Sequence, residues 1–133
     1  MKKVLLPAGL VVVHVLASLI NLNYFIDGGS GPTKWIHFAV TLCYLGYWLL
    51  FLKNGEVPMV GLILCTALCV VFFVGFLIVK FQLDSSLFIA IALLLTVPFS
   101  GMLAVVPAPY FWLVNAVICV IFSIFGLKCG KQQ

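Results

Sequence analysis

Apolar residues fill this chain in long blocks, and short polar clusters separate them. From Leu87 to Leu127, 41 consecutive positions carry no charge. As one helix this block would be about 61 Å long, twice the ~30 Å hydrocarbon core of a bilayer. Such a block must cross, turn and cross again, and Pro107-Ala108-Pro109 near its middle supplies the turn. Three further apolar blocks precede it. The pattern predicts five spans, at about Val4–Tyr24, Lys34–Leu52, Pro58–Val79, Leu87–Val106 and Tyr110–Leu127.

Between them, Asp27-Gly28-Gly29-Ser30-Gly31-Pro32 reads as a loop, with Thr33 as the N-cap of span 2. Gly55 suits a helix end, and Pro58 the first turn of span 3. Asp84, Ser85 and Ser86 are candidate caps for span 4, which Pro98 should kink. Tyr24 and Trp35 are expected at one membrane interface; Trp48, Tyr110 and Trp112 are expected at the other. Lys2-Lys3 followed by an apolar stretch imitates a secretory leader, but the stretch reads as the first span. The fold expected is therefore an all-α integral membrane protein, one polytopic domain over residues 1–133, built as a compact bundle of about five transmembrane helices. Lysine distribution leaves an alternative open. Five spans place three lysines on one side and four on the other, whereas four spans plus a re-entrant segment place five against two, as the positive-inside rule prefers.

Composition agrees with the pattern. The chain is 65% hydrophobic and 8% charged, against roughly 45–50% and 25% in soluble domains. Its net charge of +4 comes from scattered lysines that form no basic stripe, so nucleic acid is not an expected partner. Arginine is absent, which lowers the odds of a phosphate or carboxylate site. Asp27, Glu56 and Asp84 all fall in loops, leaving no carboxylate at membrane depth for ion coupling. The five cysteines form no Cys-x-x-Cys pair, and free thiols are expected. No metal or cofactor is called for.

Two spans carry polar stripes of the same form. His14, Ser18 and Asn21 recur at i, i+4, i+7 on span 1, and His37, Thr41 and Tyr44 repeat that spacing on span 2. If the spans are antiparallel neighbours, helical rise places Asn21 level with His37, Ser18 with Thr41 and His14 with Tyr44. Such a ladder reads either as interhelical hydrogen-bonding glue or as a path for a solute or proton, with His14 as its central titratable group. A second candidate lies at the expected kink, where Thr96, Pro98 and Ser100 cluster and Pro98 frees a carbonyl one turn earlier. On span 3, Gly61, Cys65 and Cys69 form a small-residue packing face. On span 5, Asn115 requires a partner inside the bundle.

Catalytic motifs are missing: there is no Gly-x-Ser-x-Gly, no His-Glu-x-x-His and no acid beside either histidine on its helix. Three functional classes remain. The first is a small channel or transporter lined by the two stripes. The second is an accessory, immunity or assembly subunit that binds another membrane protein. The third, disfavoured, is an intramembrane enzyme with a histidine base. The partners expected are the lipid bilayer and either a second copy or a larger membrane protein.

Overall fold

The computed structural model describes residues 2–53, 58–83 and 86–130. Gly55, Glu56, Asp84 and Ser85 lie outside the described residues. The order is α1 (Lys2–Ile26), α2 (Lys34–Lys53), α3 (Pro58–Phe81), α4 (Ser86–Thr96), a 3-10 segment (Val97–Ala104) and α5 (Ala108–Gly130). Counting α4 and the 3-10 segment as one, five helices among the described residues are long and apolar enough to cross a membrane.

The α1–α2 turn follows from its glycines. Gly28 takes φ +65°, its N–H bonds to the Phe25 carbonyl at 3.1 Å, and the Gly29 N–H bonds to the Tyr24 carbonyl at 2.9 Å. This pair of bonds is a Schellman ending, which needs a residue free to enter the left-handed region. The Thr33 carbonyl then takes the Ile36 N–H at 2.9 Å, starting α2. The Thr33 hydroxyl, expected as an N-cap, lies 3.2 Å from the His37 imidazole instead.

Packing divides into two regions. α3 packs along α5 more extensively than any other two helices pack, and small residues lie in the contact. Gly75 of α3 sits against the Trp112 ring of α5, and the Cys69 thiol lies 3.7 Å from the Ala116 carbonyl. Gly61, on the same helix, sits against Leu52 and Phe51 of α2. In the other region the 3-10 segment lies against both α1 and α2. Its Phe99 joins the two regions: the ring meets Tyr44 edge-on at 5.3 Å and Phe72 at 4.9 Å, and Phe72 meets Phe111 at 6.1 Å. Edge-to-face aromatic pairs of this kind contribute about 0.5–1.5 kcal/mol each beyond their burial.

Two local expectations are corrected here. Pro98 does not merely kink span 4; the helix changes to a 3-10 run of 8 residues, where runs beyond about 3–4 are uncommon. Trp48 is not at an outer edge. It is 4% exposed and packs edge-on against Phe51 inside the bundle.

Candidate functional site

The two stripes face each other, and the broken fourth span closes over them. Pro98 has no N–H, so the Leu94 carbonyl, four residues back, loses its α-helical donor. The His14 imidazole takes that place, with Nε2 2.9 Å from Leu94 O. A carbonyl only accepts, so Nε2 carries the proton. In the neutral ring Nδ1 is then an acceptor, and the Tyr44 hydroxyl donates to it at 2.8 Å. His14 thus ties α1 to both α2 and α4.

Two turns along, the polar groups form a closed knot. Asn21 Nδ2 donates to Thr41 Oγ1 and to the Pro98 carbonyl, both at 3.1 Å. Asn21 Oδ1 accepts from His37 Nδ1 at 3.1 Å, and His37 Nε2 accepts from the Thr33 hydroxyl. Thr41 donates to the same Pro98 carbonyl at 2.7 Å and accepts the Gly101 N–H at 3.0 Å. The Thr41 hydroxyl therefore uses its one proton and both lone pairs, and Asn21 uses both amide protons. Asn21, Thr41 and Ser100 are 0% exposed, so the centre of the knot is shut off from the surface, while its other end runs through half-buried His37 to exposed Thr33. It contains no charged side chain.

Two residues make this approach possible. At Gly101 an added Cβ would overlap the His37 carbonyl and Thr41 Oγ1, so only glycine lets the 3-10 backbone reach α2. His37 is held from its other side by Tyr24, whose ring stacks on it at 4.4 Å and 7°.

The candidate residues sort as follows. The structure pairs Asn21 with His37 and His14 with Tyr44. Ser18 and Thr41 are not paired: Thr41 turns to Asn21, Pro98 and Gly101, and Ser18 Oγ is buried with no partner. Equal depth did not produce that rung because the Pro98 carbonyl and Gly101 N–H occupy the bonding positions around Thr41. Pro98 belongs to the same knot, and the Ser100 hydroxyl reaches the Asn21 backbone carbonyl at 3.4 Å. Thr96 turns away and bonds Ala92 of its own helix. Pro98 and Ser100 of the second candidate site thus join Asn21 and Thr41 of the first. Asn115, on α5, bonds only the Phe111 carbonyl one turn back, and its Oδ1 has no partner.

His14 also lines two clefts. One, about 300 Å³, runs between α1 and the fourth span and includes Ser18, Leu94 and Val97. The other, about 230 Å³, opens between α1 and α3 and includes Tyr44, Trp48 and Leu95. Leu94 lines the first and Leu95 the second, while His14 lines both. Among the described residues no group of three or more His, Cys, Asp or Glu side chains could hold a metal ion, and Cys65, Cys69 and Cys119 are free thiols.

Sequence reasoning placed a freed carbonyl one turn before Pro98, which is that of Leu94, but named no donor for it, and it did not reach the bond from the Gly101 N–H to Thr41. Comparison with known protein families, characterised proteins and solved structures finds no match to this chain.

Proposed function

We propose that the chain is a multi-pass membrane protein of the channel or transporter type, with an occluded solute or proton path at the junction of α1, α2 and the broken fourth span. Support for the membrane setting comes from outward apolar side chains on every helix, among them Leu19, Ile36, Ile63, Leu94 and Ile121, each more than half exposed. The observation that carries the functional reading is the break itself. Eight residues of 3-10 backbone lie inside an apolar span, and side chains of neighbouring helices bond the Leu94 and Pro98 carbonyls in and beside it. Irregular backbone at membrane depth is tolerated where it is buried in protein or lines a path, and discontinuous helices mark the binding sites of many transporters.

A second reading has its own observation. Asn21 and Thr41 are saturated by partners within the knot, as expected of a fixed structural clasp in an accessory subunit that binds a larger membrane protein or a second copy.

Proteoliposomes decide between them. Entrapped pyranine under a valinomycin-clamped potential reports proton flux, and stopped-flow light scattering reports glycerol entry. The path reading expects at least one flux above empty vesicles, and a large loss of that flux in a folded His14→Phe variant. Neither flux above background leaves the clasp reading standing.

A further inference from the structure

Neighbouring helices fix the direction in which residues 86–107 run. α1 and α2 are joined at residues 27–33, which mark one end of the bundle, the turn face. α3 starts at the other end, where Gly61 sits against Leu52 near the close of α2, so its last residue, Phe81, lies at the turn face. α5 runs opposite to α3. Phe111, in its first turn, meets Phe25 of α1 at 6.2 Å, and Gly126, near its end, sits against Leu52. Ala108 therefore also lies at the turn face. The fourth apolar segment leaves from one face and comes back to it.

The partners of that segment give its depth. Phe88 shares a small cavity with Ile78 and Val79, near the close of α3. Leu95 lines the 230 Å³ cleft with Leu68, and the Leu94 carbonyl bonds His14; both partners are at the middle of their helices. From there the direction reverses. The Pro98 carbonyl bonds Asn21, Gly101 sits against His37 in the first turn of α2, and Leu103 lies against Gly29 in the α1–α2 turn itself. The 11 residues of α4 rise about 16 Å, and the 8 residues of the 3-10 segment also rise about 16 Å. Each limb covers half of a ~30 Å core. A straight helix over Ser86–Ala104 is long enough to cross, but it would carry Leu103 to the far face, away from Gly29. Beyond the tip, the space that a full span would fill is open: the cleft continues past His14 to Leu10 and Leu64.

We propose that residues 86–107 form a re-entrant hairpin, so that the chain crosses the membrane four times and the polar knot opens on the external face. Lysines assign the faces. Lys34 and Lys80 lie at the turn face, against Lys2, Lys3, Lys53 and Lys128 at the other, and the positive-inside rule makes the lysine-rich face cytoplasmic. The knot then lies in the outer half of the bundle. Its exposed end, Thr33 bonded to His37, is where water or a solute meets it, from outside the cell or compartment. Non-helical backbone at this depth is tolerated because it is enclosed in protein, and Val97 to Gly101 are all buried. The hairpin requires the membrane setting proposed above but not conduction.

Sided labelling tests it. Ser30→Cys, Lys53→Cys and Ala108→Cys are introduced one at a time into the full chain with its five native cysteines replaced by alanine, and bacterial spheroplasts are treated with a membrane-impermeant maleimide before and after permeabilisation. The expected result is that Ser30→Cys and Ala108→Cys react in intact spheroplasts and Lys53→Cys reacts only after permeabilisation. Five full spans would instead pair Ala108 with Lys53. The hairpin is overturned if Ala108→Cys follows Lys53→Cys or stays unreactive throughout, and the external assignment is overturned if all three positions show the reverse sidedness. A second measurement keeps the native cysteines, in case their loss prevents folding. Green fluorescent protein, which matures only on the cytoplasmic side, is fused before Met1 in one chain and after Gln133 in another. Both fusions fluoresce with four crossings, whereas one of the two stays dark with five and overturns the hairpin. Neither readout depends on whether the protein conducts protons or glycerol.

Discussion

Thr41→Val is the substitution that weighs the polar knot most directly. Valine keeps the branched shape of threonine and deletes only the hydroxyl. Three bonds disappear with it: from Asn21 Nδ2, from the Gly101 N–H and to the Pro98 carbonyl. The carbonyl keeps Asn21, but the Gly101 N–H and one Asn21 proton become buried donors with no partner. Hydrogen bonds between membrane helices average about 0.6 kcal/mol with a maximum near 1.7, so three of them come to about 2 kcal/mol and at most about 5. The two orphaned donors push the expectation above the average, to roughly 3 kcal/mol.

Reversible unfolding in mixed micelles by sodium dodecyl sulfate, followed by tryptophan fluorescence, measures this loss. Thr66→Val is the internal control, because that hydroxyl bonds only the Leu62 carbonyl of its own helix, at 2.8 Å, on an exposed face; its cost should stay within about 0.5 kcal/mol. A double-mutant cycle adds a second reading. Asn21→Ala removes the Thr41 bond as well, so combining it with Thr41→Val should cost less than the sum of the two single changes by at least ~0.5 kcal/mol. If Thr41→Val costs no more than Thr66→Val, or the two knot variants are additive, then the hydroxyl does not hold the broken span to α2 and the reasoning is refuted.

Three other outcomes follow from the same geometry. In 15N NMR of histidine-labelled protein near neutral pH, His14 should appear as the Nε2–H tautomer, set by the Leu94 carbonyl, and His37 as the Nδ1–H tautomer, set by Asn21 Oδ1; a shared tautomer would contradict one of the two assignments. Gly101→Ala should cost about 3 kcal/mol or more, because its Cβ meets the His37 backbone, whereas Gly46→Ala, with nothing near its Cβ, should be neutral or stabilising by thermal unfolding in detergent. A single thiol at Ala108, an exposed position after the 3-10 segment, should react with a membrane-impermeant maleimide from one side of an oriented vesicle, and no reaction from either side would rule out five full spans.

Much of the architecture was legible because it depends on local composition. Five apolar blocks become five candidate spans, and Pro107 to Pro109 does separate the last two helices. The i, i+4, i+7 stripes were legible for the same reason: helical period alone places His14 and Asn21 on one face, and His37 and Tyr44 on another. The aromatics were harder. Trp48 and Trp35 lie near span ends by sequence, yet Trp35 is exposed and Trp48 is in the core, a difference decided by which neighbours the α2 face meets. Period says nothing of those neighbours.

The form of the fourth span was illegible for a deeper reason. Pro98 removes a donor, and from that alone either a kinked α-helix or a different helix is open. The choice falls to the groups that bond the Leu94 and Pro98 carbonyls, and these are His14, Asn21 and Thr41, between 57 and 80 positions away in the chain. Each polar stripe taken alone asks for a partner on the other stripe, which is why a three-rung ladder is the natural expectation. Once the 3-10 backbone enters, Thr41 has better partners than Ser18: the Pro98 carbonyl and the Gly101 N–H, which the lack of a Cβ at Gly101 brings close. The unpaired Ser18 hydroxyl is what that exchange leaves behind. Stripe and break therefore explain each other, since a broken helix this deep needs donors from outside its own backbone, and two polar faces this well matched need something to close over them.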